Sequence, residues 1–277
     1  MPGLEDEFGD VVKKARSGLG LTQAELGARA GLSEADVRAI EAYTLRPDEA
    51  HVRRLAAILG LRPDQLWALA QDSWSAPDVP WTIGDAYAVE RLTNRYPEHC
   101  YVVVAPSGEC LIVDPGDEAE RVVHTASAGG RTAVAILITH AHRDHTGAVV
   151  PVQRATDAPV FVHQADVQGV AGVPTASVKT FAGDGEVRAG SFTIRLLHTP
   201  GHTAGSATYV LAAGRHTAAF CGDTLFAGSA GNARHSYEAI LASLRQKIGR
   251  LPPETVLYPG HGPATTLAHE LAWNPFL

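Results

Sequence analysis

Three histidines and an aspartate directly follow one apolar strand, and this pattern restricts what the chain can fold into. The run VAILIT (134–139) is a predicted strand, and the letters HAHRDH come next. His140 and His142 are two apart and project to the same side of an extended backbone, while Asp144 and His145 stand where a helix is predicted to begin. Imidazole and carboxylate are ligands that zinc prefers, and open α/β folds build sites at the carboxyl ends of strands. The pattern predicts a metal site there.

Three further segments repeat this arrangement of a strand followed by a ligand-type residue in a turn. TPGHTAGS places His202 after the run FTIRLL, FCGDTLF places Asp223 after an apolar strand, and YPGHGPATT places His261 after TVLY. Glycines beside these residues let the backbone approach a ligand closely. The chain has 13 histidines, and 12 of them lie between His99 and His269, so the supply of imidazole is concentrated in this part.

The chain divides into two segments with different periodicities. Residues 1–72 are predicted to form an all-α domain of five short helices, with Thr22, Ser33 and Asp64 marking helix starts and glycines at the ends. Residues 73–80 are a predicted Pro-containing linker, and residues 81–277 form the second domain. There the predicted strands are 100–105, 110–114, 134–139, 160–162, 192–197, 207–211 and 218–221, and the predicted helices lie near 117–127, 146–156, 235–249 and 264–272. Interleaved strands and helices indicate a layered α/β (α+β) fold.

Composition excludes several classes of protein. The 23 Lys+Arg against 30 Asp+Glu give a net charge of -7, which disfavours a general nucleic-acid coat because phosphate contacts need clustered cations. Three scattered cysteines predict no disulfide scaffold and a reducing, cytoplasmic location. No apolar run reaches the roughly 18 residues of a membrane span, and the acidic start MPGLEDEFGD does not read as a secretory signal.

With all these motifs, residues 81–277 resemble metallo-β-lactamase-fold hydrolases of the glyoxalase II-like branch. The resemblance implies an αββα sandwich with two divalent metal ions at its edge, zinc in the first place and iron or manganese as alternatives. Asp114, in VDPG, would orient a ligand histidine. The ligands that the resemblance implies are His140, His142 and His202 for one ion, Asp144, His145 and His261 for the other, and Asp223 as a bridge between them.

The implied chemistry is hydrolysis of a small molecule by a hydroxide that bridges the metals. Two ions can share one water, lower its pKa and polarise the substrate carbonyl, with Asp144 orienting the nucleophile. A thioester or other acyl ester is the expected substrate. Glutathione recognition is in doubt, because the tail (264–277) contains no Lys or Arg; β-lactam hydrolysis is not expected, because lactamases of this family generally have cysteine where Asp223 stands. His235, in GNARHSYE, is a possible substrate contact, although helix capping near Ser236 explains the segment equally well.

A different reaction class stays open for the same motifs. Persulfide dioxygenases share the scaffold and use a single iron, which His140, His202 and Asp223 would hold here. Stoichiometric iron with oxygen consumption would identify that class.

The segment 19–66 resembles the Cro/C1-type helix-turn-helix. Ser33 to Glu41 would be the recognition helix, whose N-terminal residues enter the major groove in such domains. Here Glu34 and Asp36 are acidic, and residues 1–72 hold 9 Lys+Arg against 12 Asp+Glu, a net charge of -3. DNA binding is therefore disfavoured, and we expect this domain to mediate homodimerisation, substrate access, protein contact or regulation. The alternative is a DNA-binding regulator whose metallohydrolase domain senses a metabolite.

Overall fold

A computed structural model describes residues 3–277, so the first two residues of the predicted helical domain lie outside the described residues. The five predicted helices are confirmed. Thr22, Ser33 and Asp48 each accept a hydrogen bond from the first turn that follows, and Gly31 and Gly60 end their helices in the left-handed conformation. The helices are α1 (Phe8–Gly18), α2 (Gln23–Ala30), α3 (Glu34–Glu41), α4 (Glu49–Leu59) and α5 (Pro63–Ala70).

The predicted helix start at Asp64 is wrong. Helix α5 begins at Pro63, with Arg62 as the N-cap residue. Proline suits the first helical position because it has no N–H to leave unsatisfied, so it sets the start one residue before the aspartate.

The rest of the chain forms two facing sheets with helices outside them. One sheet has seven strands in sequential order: β1 (Thr82–Ile83), β2 (Tyr87–Thr93), β3 (His99–Val104), β4 (Glu109–Val113), β5 (Thr132–Leu137), β6 (Val160–His163) and β7 (Val178–Phe181). The other has six, in the order β15 (Thr265–Thr266), β14 (Val256–Pro259), β11 (His216–Gly222), β10 (Ala207–Ala213), β9 (Phe192–His198) and β8 (Gly185–Ala189). A small hairpin of β12 (Leu225–Phe226) and β13 (Ser229–Ala230) follows β11.

Five more helices complete the layers: α6 (Ala119–Ser127), α7 (Arg143–Thr146), α8 (Val149–Thr156), α9 (Tyr237–Ala242) and α10 (Leu267–Trp273). The predicted helix 146–156 is divided between α7 and α8, and the predicted helix 235–249 continues beyond α9 as π-helical and 3-10 turns. Apolar residues of both sheets, among them Phe192, Tyr209 and Tyr258, fill the space between them. The αββα sandwich is therefore the observed architecture.

The predicted strands are all present, but the edges of the sheets were missed. Strands β7 and β8 were not predicted because VKTF and GEVRA alternate too weakly and expose charged residues, as edge strands do. Strand β2 was missed for the same reason, since only Val89 of its seven residues is buried.

The helical unit (residues 8–70) packs directly on the sandwich. Its buried Leu55 and Leu66 belong to the same apolar cluster as Leu197 and Leu257, which come from the outer face of the second sheet. The backbone N–H of Arg62 donates to the carbonyl of Pro275 at 2.9 Å, next to the C-terminal helix α10. The helical unit therefore forms part of the outer layer on that sheet.

Strand ends bring the predicted ligands to one edge. Strand β5, which precedes His140, pairs in parallel with β4 and β6. Strand β11 precedes Asp223 and pairs in parallel with β14, which precedes His261. Parallel neighbours end on the same side, so Asp223 and His261 share one edge of the second sheet. The packing of the two sheets then places His140 Nε2 4.0 Å from Asp223 Oδ2. Among residues 3–277, no helix is long and apolar enough to cross a membrane.

Candidate metal centre

Three imidazole nitrogens converge at the first half of the site. His142 Nδ1 lies 3.0 Å from His140 Nε2 and 2.8 Å from His202 Nε2. The opposite nitrogen of His202, Nδ1, donates to the carbonyl of Asn232 at 2.7 Å, which leaves the Nε2 lone pair facing the cluster. Such a convergence of lone pairs suits a cation better than any set of hydrogen bonds among the three rings.

The second half contains His145, His261 and Asp144. His261 Nε2 lies 3.4 Å from Asp144 Oδ2, and His145 Nε2 lies 3.9 Å from the same oxygen. Nε2 of His145 is fully buried and has no hydrogen-bond partner among the described residues. A buried nitrogen without a partner is costly, so this arrangement also calls for a cation.

Asp223 stands between the two halves. Its Oδ2 lies 3.3 Å from His202 Nε2, whereas its Oδ1 lies 3.4 Å from His145 Nε2. Two ligands about 2.1 Å from one zinc ion at tetrahedral angles would be about 3.4 Å apart. The separations on both sides of Asp223 match that edge length, so the residues present fit two ions with one bridging carboxylate.

Asp114 lies behind the second half and holds His145. Its Oδ2 accepts from His145 Nδ1 at 3.0 Å, and its Oδ1 accepts from the backbone N–H of Thr139 at 2.7 Å. Asp114 adopts a φ of 50°, in the left-handed region that non-glycine residues rarely enter. Strain of this kind is kept where the surrounding structure demands a particular side-chain position. Asp114 thereby fixes the His145 tautomer with Nε2 towards the centre.

The ionisation of the site suits metal binding. Burial lowers the pKa of His140 well below its usual value and lowers that of His202 to about 4, so both rings are neutral at pH 7. Burial opposes protonation of His145 as well, but Asp223 and Asp114 outweigh it and raise its pKa. The hydrogen bond from His261 lowers the pKa of Asp144, which is therefore ionised. A divalent cation would replace the proton that the carboxylates favour on His145.

Glu98 is a residue of the site that the sequence analysis missed. It is fully buried, its Oε1 has no hydrogen-bond partner among the described residues, and that oxygen lies 3.7 Å from His145 Nδ1. Burial raises the pKa of Glu98 well above its usual value. Its position just before a strand in a polar turn offered no motif by which to find it.

The cleft over the centre has a volume of about 430 Å³. Of the segment GNARHSYE, Asn232 and Arg234 line this cleft, whereas the exposed His235 does not. The backbone N–H groups of His235 and Ser236 both donate to the carbonyl of Gly201, which turns the chain into helix α9, and Ser236 caps that helix. Lys14 of the helical unit and Glu5 and Asp6, which precede it, also line the cleft, and no local sequence pattern indicated these positions.

Comparisons with known proteins agree with this architecture. Residues 93–261 match the sequence profile of the metallo-beta-lactamase superfamily, and residues 7–69 match that of a helix-turn-helix domain. A probable metallo-hydrolase of Bacillus subtilis, YqgX, is 34% identical over 186 residues, which cover 61% of this chain and 87% of the relative. A hydroxyacylglutathione hydrolase of Polaromonas is 36% identical over 181 residues, covering 62% of this chain and 66% of that enzyme.

Solved structures show the same fold. The B3 metallo-beta-lactamase BLEG-1 has a TM-score of 0.60 and 32% identity, and the match covers 68% of this chain and 99% of that one. TTHA1623, whose structure was solved in a di-iron-bound form, has a TM-score of 0.59 and 35% identity, covering 68% of this chain and all of the other (100%).

Proposed function

Because this chain belongs to the metallo-β-lactamase superfamily and is a metal-dependent hydrolase, we propose that it hydrolyses a thioester or another acyl ester of a small molecule at a two-metal centre. The observation that carries this proposal is the position of Asp223, whose two oxygens face two separate sets of nitrogen and carboxylate ligands. When bound, two divalent ions supply a nucleophile derived from water at neutral pH and polarise the acyl carbonyl.

The protein's own side chains would provide the metal ligands and a group that accepts a proton. His140, His142 and His202 would hold one ion, and Asp144, His145 and His261 the other, with Asp223 between them and Asp114 orienting His145. Asp144 is the only ligand carboxylate with a substantially exposed side chain, 35% against 9% for Asp223, so it can accept a proton from water in the cleft. In the reaction, a water oxygen joins the acyl carbon, the carbon–sulfur or carbon–oxygen bond breaks, and the thiol or alcohol leaves with a proton.

Metal analysis together with hydrolysis tests this proposal. Purified protein is expected to retain close to two divalent ions per chain, zinc first and iron or manganese as alternatives, and to hydrolyse simple acyl thioesters. His142→Ala and Asp223→Ala should abolish hydrolysis and reduce metal content. His124→Ala, which removes an exposed imidazole from helix α6, is the matched control and should change neither.

Three outcomes would contradict the proposal. One iron per chain with oxygen consumption would assign the protein to the persulfide dioxygenase class, and turnover of a β-lactam in preference to thioesters would assign a lactamase activity. Full activity in His142→Ala or Asp223→Ala would reject the site itself.

The helix-turn-helix unit could have a second role in DNA binding. The negative charges of Glu34 and Asp36 at the start of helix α3 argue against that role. Asp36 is engaged in a capping box with Ser33, and Glu34 pairs with Arg38 at 2.6 Å, so both carboxylates stay at the helix start that would face phosphates. We propose regulation or homodimerisation for this unit. A gel shift on random duplexes at low salt decides the matter, since salt-sensitive and sequence-selective binding would establish a regulator. A cytoplasmic location stays a prediction, in keeping with three buried free thiols.

A further inference from the structure

Helix α1 of the helical unit lies along the edge of the metal cleft. Lys14 Nζ donates to the carbonyl of Ala230 at 2.9 Å and lies 4.8 Å from the centre of the Phe226 ring. Lys14 also forms an ion pair with Asp6, and both side chains are at least nine-tenths buried. These contacts fix α1 against the hairpin β12–β13, which begins just after Asp223.

The cleft continues into a second cavity along helix α1. This cavity has a volume of about 630 Å³, larger than the 430 Å³ over the metal ligands. Both spaces are lined by the same five residues where they join: Glu5, Asp6, Lys14, Asn232 and Arg234. A substrate whose scissile bond sits at the metal ligands can therefore extend its other end between α1 and the loop that contains Arg234.

Some charged side chains along this second cavity have an ion-pair or hydrogen-bond partner, and others have none. Asp6 is paired with Lys14, and Asp10 accepts hydrogen bonds from a tyrosine hydroxyl and from a backbone N–H. Among residues 3–277, Lys13 and Arg234 have neither an ion-pair partner nor a side-chain hydrogen bond, although both line the cavity. Two cations without partners beside satisfied carboxylates form a site for an anion.

The remaining carboxylate, Glu5, lies where the two spaces join. Its Cβ would be 3.0 Å from a Cβ placed on Gly262, next to His261, and burial raises its pKa. Glu5 therefore lies at the end of the shared junction that is nearer to the metal ligands, since His261 lines the metal cleft and not the second cavity.

Arg234 is close enough to the metal ligands to serve the same substrate. Its loop is joined to the centre through Asn232, whose carbonyl accepts from His202 Nδ1 at 2.7 Å. Arg234 lines the same cleft as the ligand residues His142 and His202. A substrate bound in this cleft can therefore contact both the metal ligands and the guanidinium.

We infer that the helical unit forms one wall of the substrate site, and that Arg234 together with Lys13 binds a negatively charged group on the leaving part of the substrate. This inference rests on the proposed hydrolase function. It assigns a carboxylate or a similar anion to the thiol or alcohol half, and it gives helix α1 a direct part in substrate selection.

Two substrates of nearly equal shape test the assignment. S-acetyl-3-mercaptopropionate carries a carboxylate, and S-acetyl-3-mercaptopropionamide carries a neutral amide in its place. For the metal-loaded full chain, kcat/KM should be roughly tenfold higher for the anion, the range of a charge-assisted hydrogen bond near a surface. Arg234→Gln, which removes the cation that lines both spaces, should abolish that preference, and Lys13→Gln, which removes one that lines only the second cavity, should reduce it roughly threefold. For the amide, either substitution should change kcat/KM by less than it does for the carboxylate. Arg215→Gln, an exposed cation in the turn between β10 and β11, is the matched control.

Binding without reaction provides the second measurement. In isothermal titration, 3-(methylthio)propionate should bind the wild-type chain more tightly than its amide does, and Arg234→Gln should abolish the difference. If neither ester is hydrolysed, the proposed function fails, while the titration still decides the anion site. Equal kcat/KM for the two esters, or an anion affinity unchanged in Arg234→Gln, would overturn the inference and leave the hydrolase intact. An unchanged preference in Lys13→Gln would remove helix α1 from the site.

Discussion

Glu270 allows a quantitative test of the packing around the cleft. This carboxylate of helix α10 is fully buried, and among residues 3–277 no lysine or arginine pairs with it. It accepts hydrogen bonds from Gly228 N–H at 3.0 Å, Thr265 Oγ1 at 2.8 Å and Asn274 Nδ2 at 2.8 Å. Burial raises its pKa from 4.5 to about 7 despite these bonds. Glu270 thus holds the turn of hairpin β12–β13. Above neutral pH its carboxylate is ionised while buried, which lowers the stability of the fold.

The sign of the pH dependence follows from the raised pKa. The folded chain binds the proton more tightly than the unfolded chain, so the stabilising contribution is complete below pH 4.5 and is lost as pH rises to about 7. A shift of this size corresponds to about 3 kcal/mol in the free energy of unfolding, of which about 2.5 kcal/mol falls between pH 5 and pH 8. Glu270→Gln keeps the shape and cannot ionise.

Thermal unfolding of Glu270→Gln and wild type at matched pH measures this difference. The variant should gain about 2.5 kcal/mol relative to wild type between pH 5 and pH 8, which is roughly 5 °C or more in Tm for a chain of this size. Both proteins have the same metal ligands, so the titration of those ligands cancels in the comparison. Glu120→Gln, in exposed helix α6, is the control and should follow wild type. Parallel curves for all three proteins would refute the reasoning.

Three further predictions concern the site and its support. Gly116→Ala should prevent assembly of the centre and lower metal content below one ion per chain, because an added Cβ would lie 1.4 Å from the carbonyl oxygen of Asp144. Asp114→Asn should weaken retention of one ion by roughly 10- to 100-fold in a chelator competition, because the amide oxygen can no longer hold both His145 and the Thr139 backbone as the carboxylate does. The helical unit and the sandwich should unfold in a single transition, since they share one apolar cluster.

Each of these has a clear contrary result. A Gly116→Ala protein with two ions would show that the backbone around Asp144 can shift. Equal chelator resistance in Asp114→Asn would remove its orienting role. Two separate transitions, one seen by helix content and one by buried tryptophan, would show that the helical unit folds independently of the sandwich.

Much of the fold and of the candidate site could be predicted because the local signals were strong. Capping residues at Thr22 and Ser33 define helices within a few positions, and each expected ligand follows an apolar strand whose end is fixed by the sheet. The parallel pairing of neighbouring strands brings together ligands of one sheet, and the packing of the two sheets joins the two groups of ligands.

The parts that were missed depend on contacts between residues far apart in sequence. Lys14 contacts Ala230 across 216 residues, and no local pattern connects a lysine of helix α1 to a metal cleft. Glu98 is buried by neighbours from several elements, so its role is visible only in three dimensions. Weakly alternating strands such as β7 are fixed by their partner in the sheet rather than by their own residues.

Because His202 donates a hydrogen bond to the carbonyl of Asn232, binding of an ion by His202 and binding of an anion by Arg234 are linked through one loop. One loop both fixes the imidazole of His202 and presents Arg234, so an ion held by that ring and an anion held by that guanidinium bias the same few residues. Linkage then requires reciprocity: whatever factor the ion adds to the affinity for the anion, the anion returns to the affinity for the ion. Where the ion strengthens binding of the anion, a supply of substrate would equally strengthen retention of the metal.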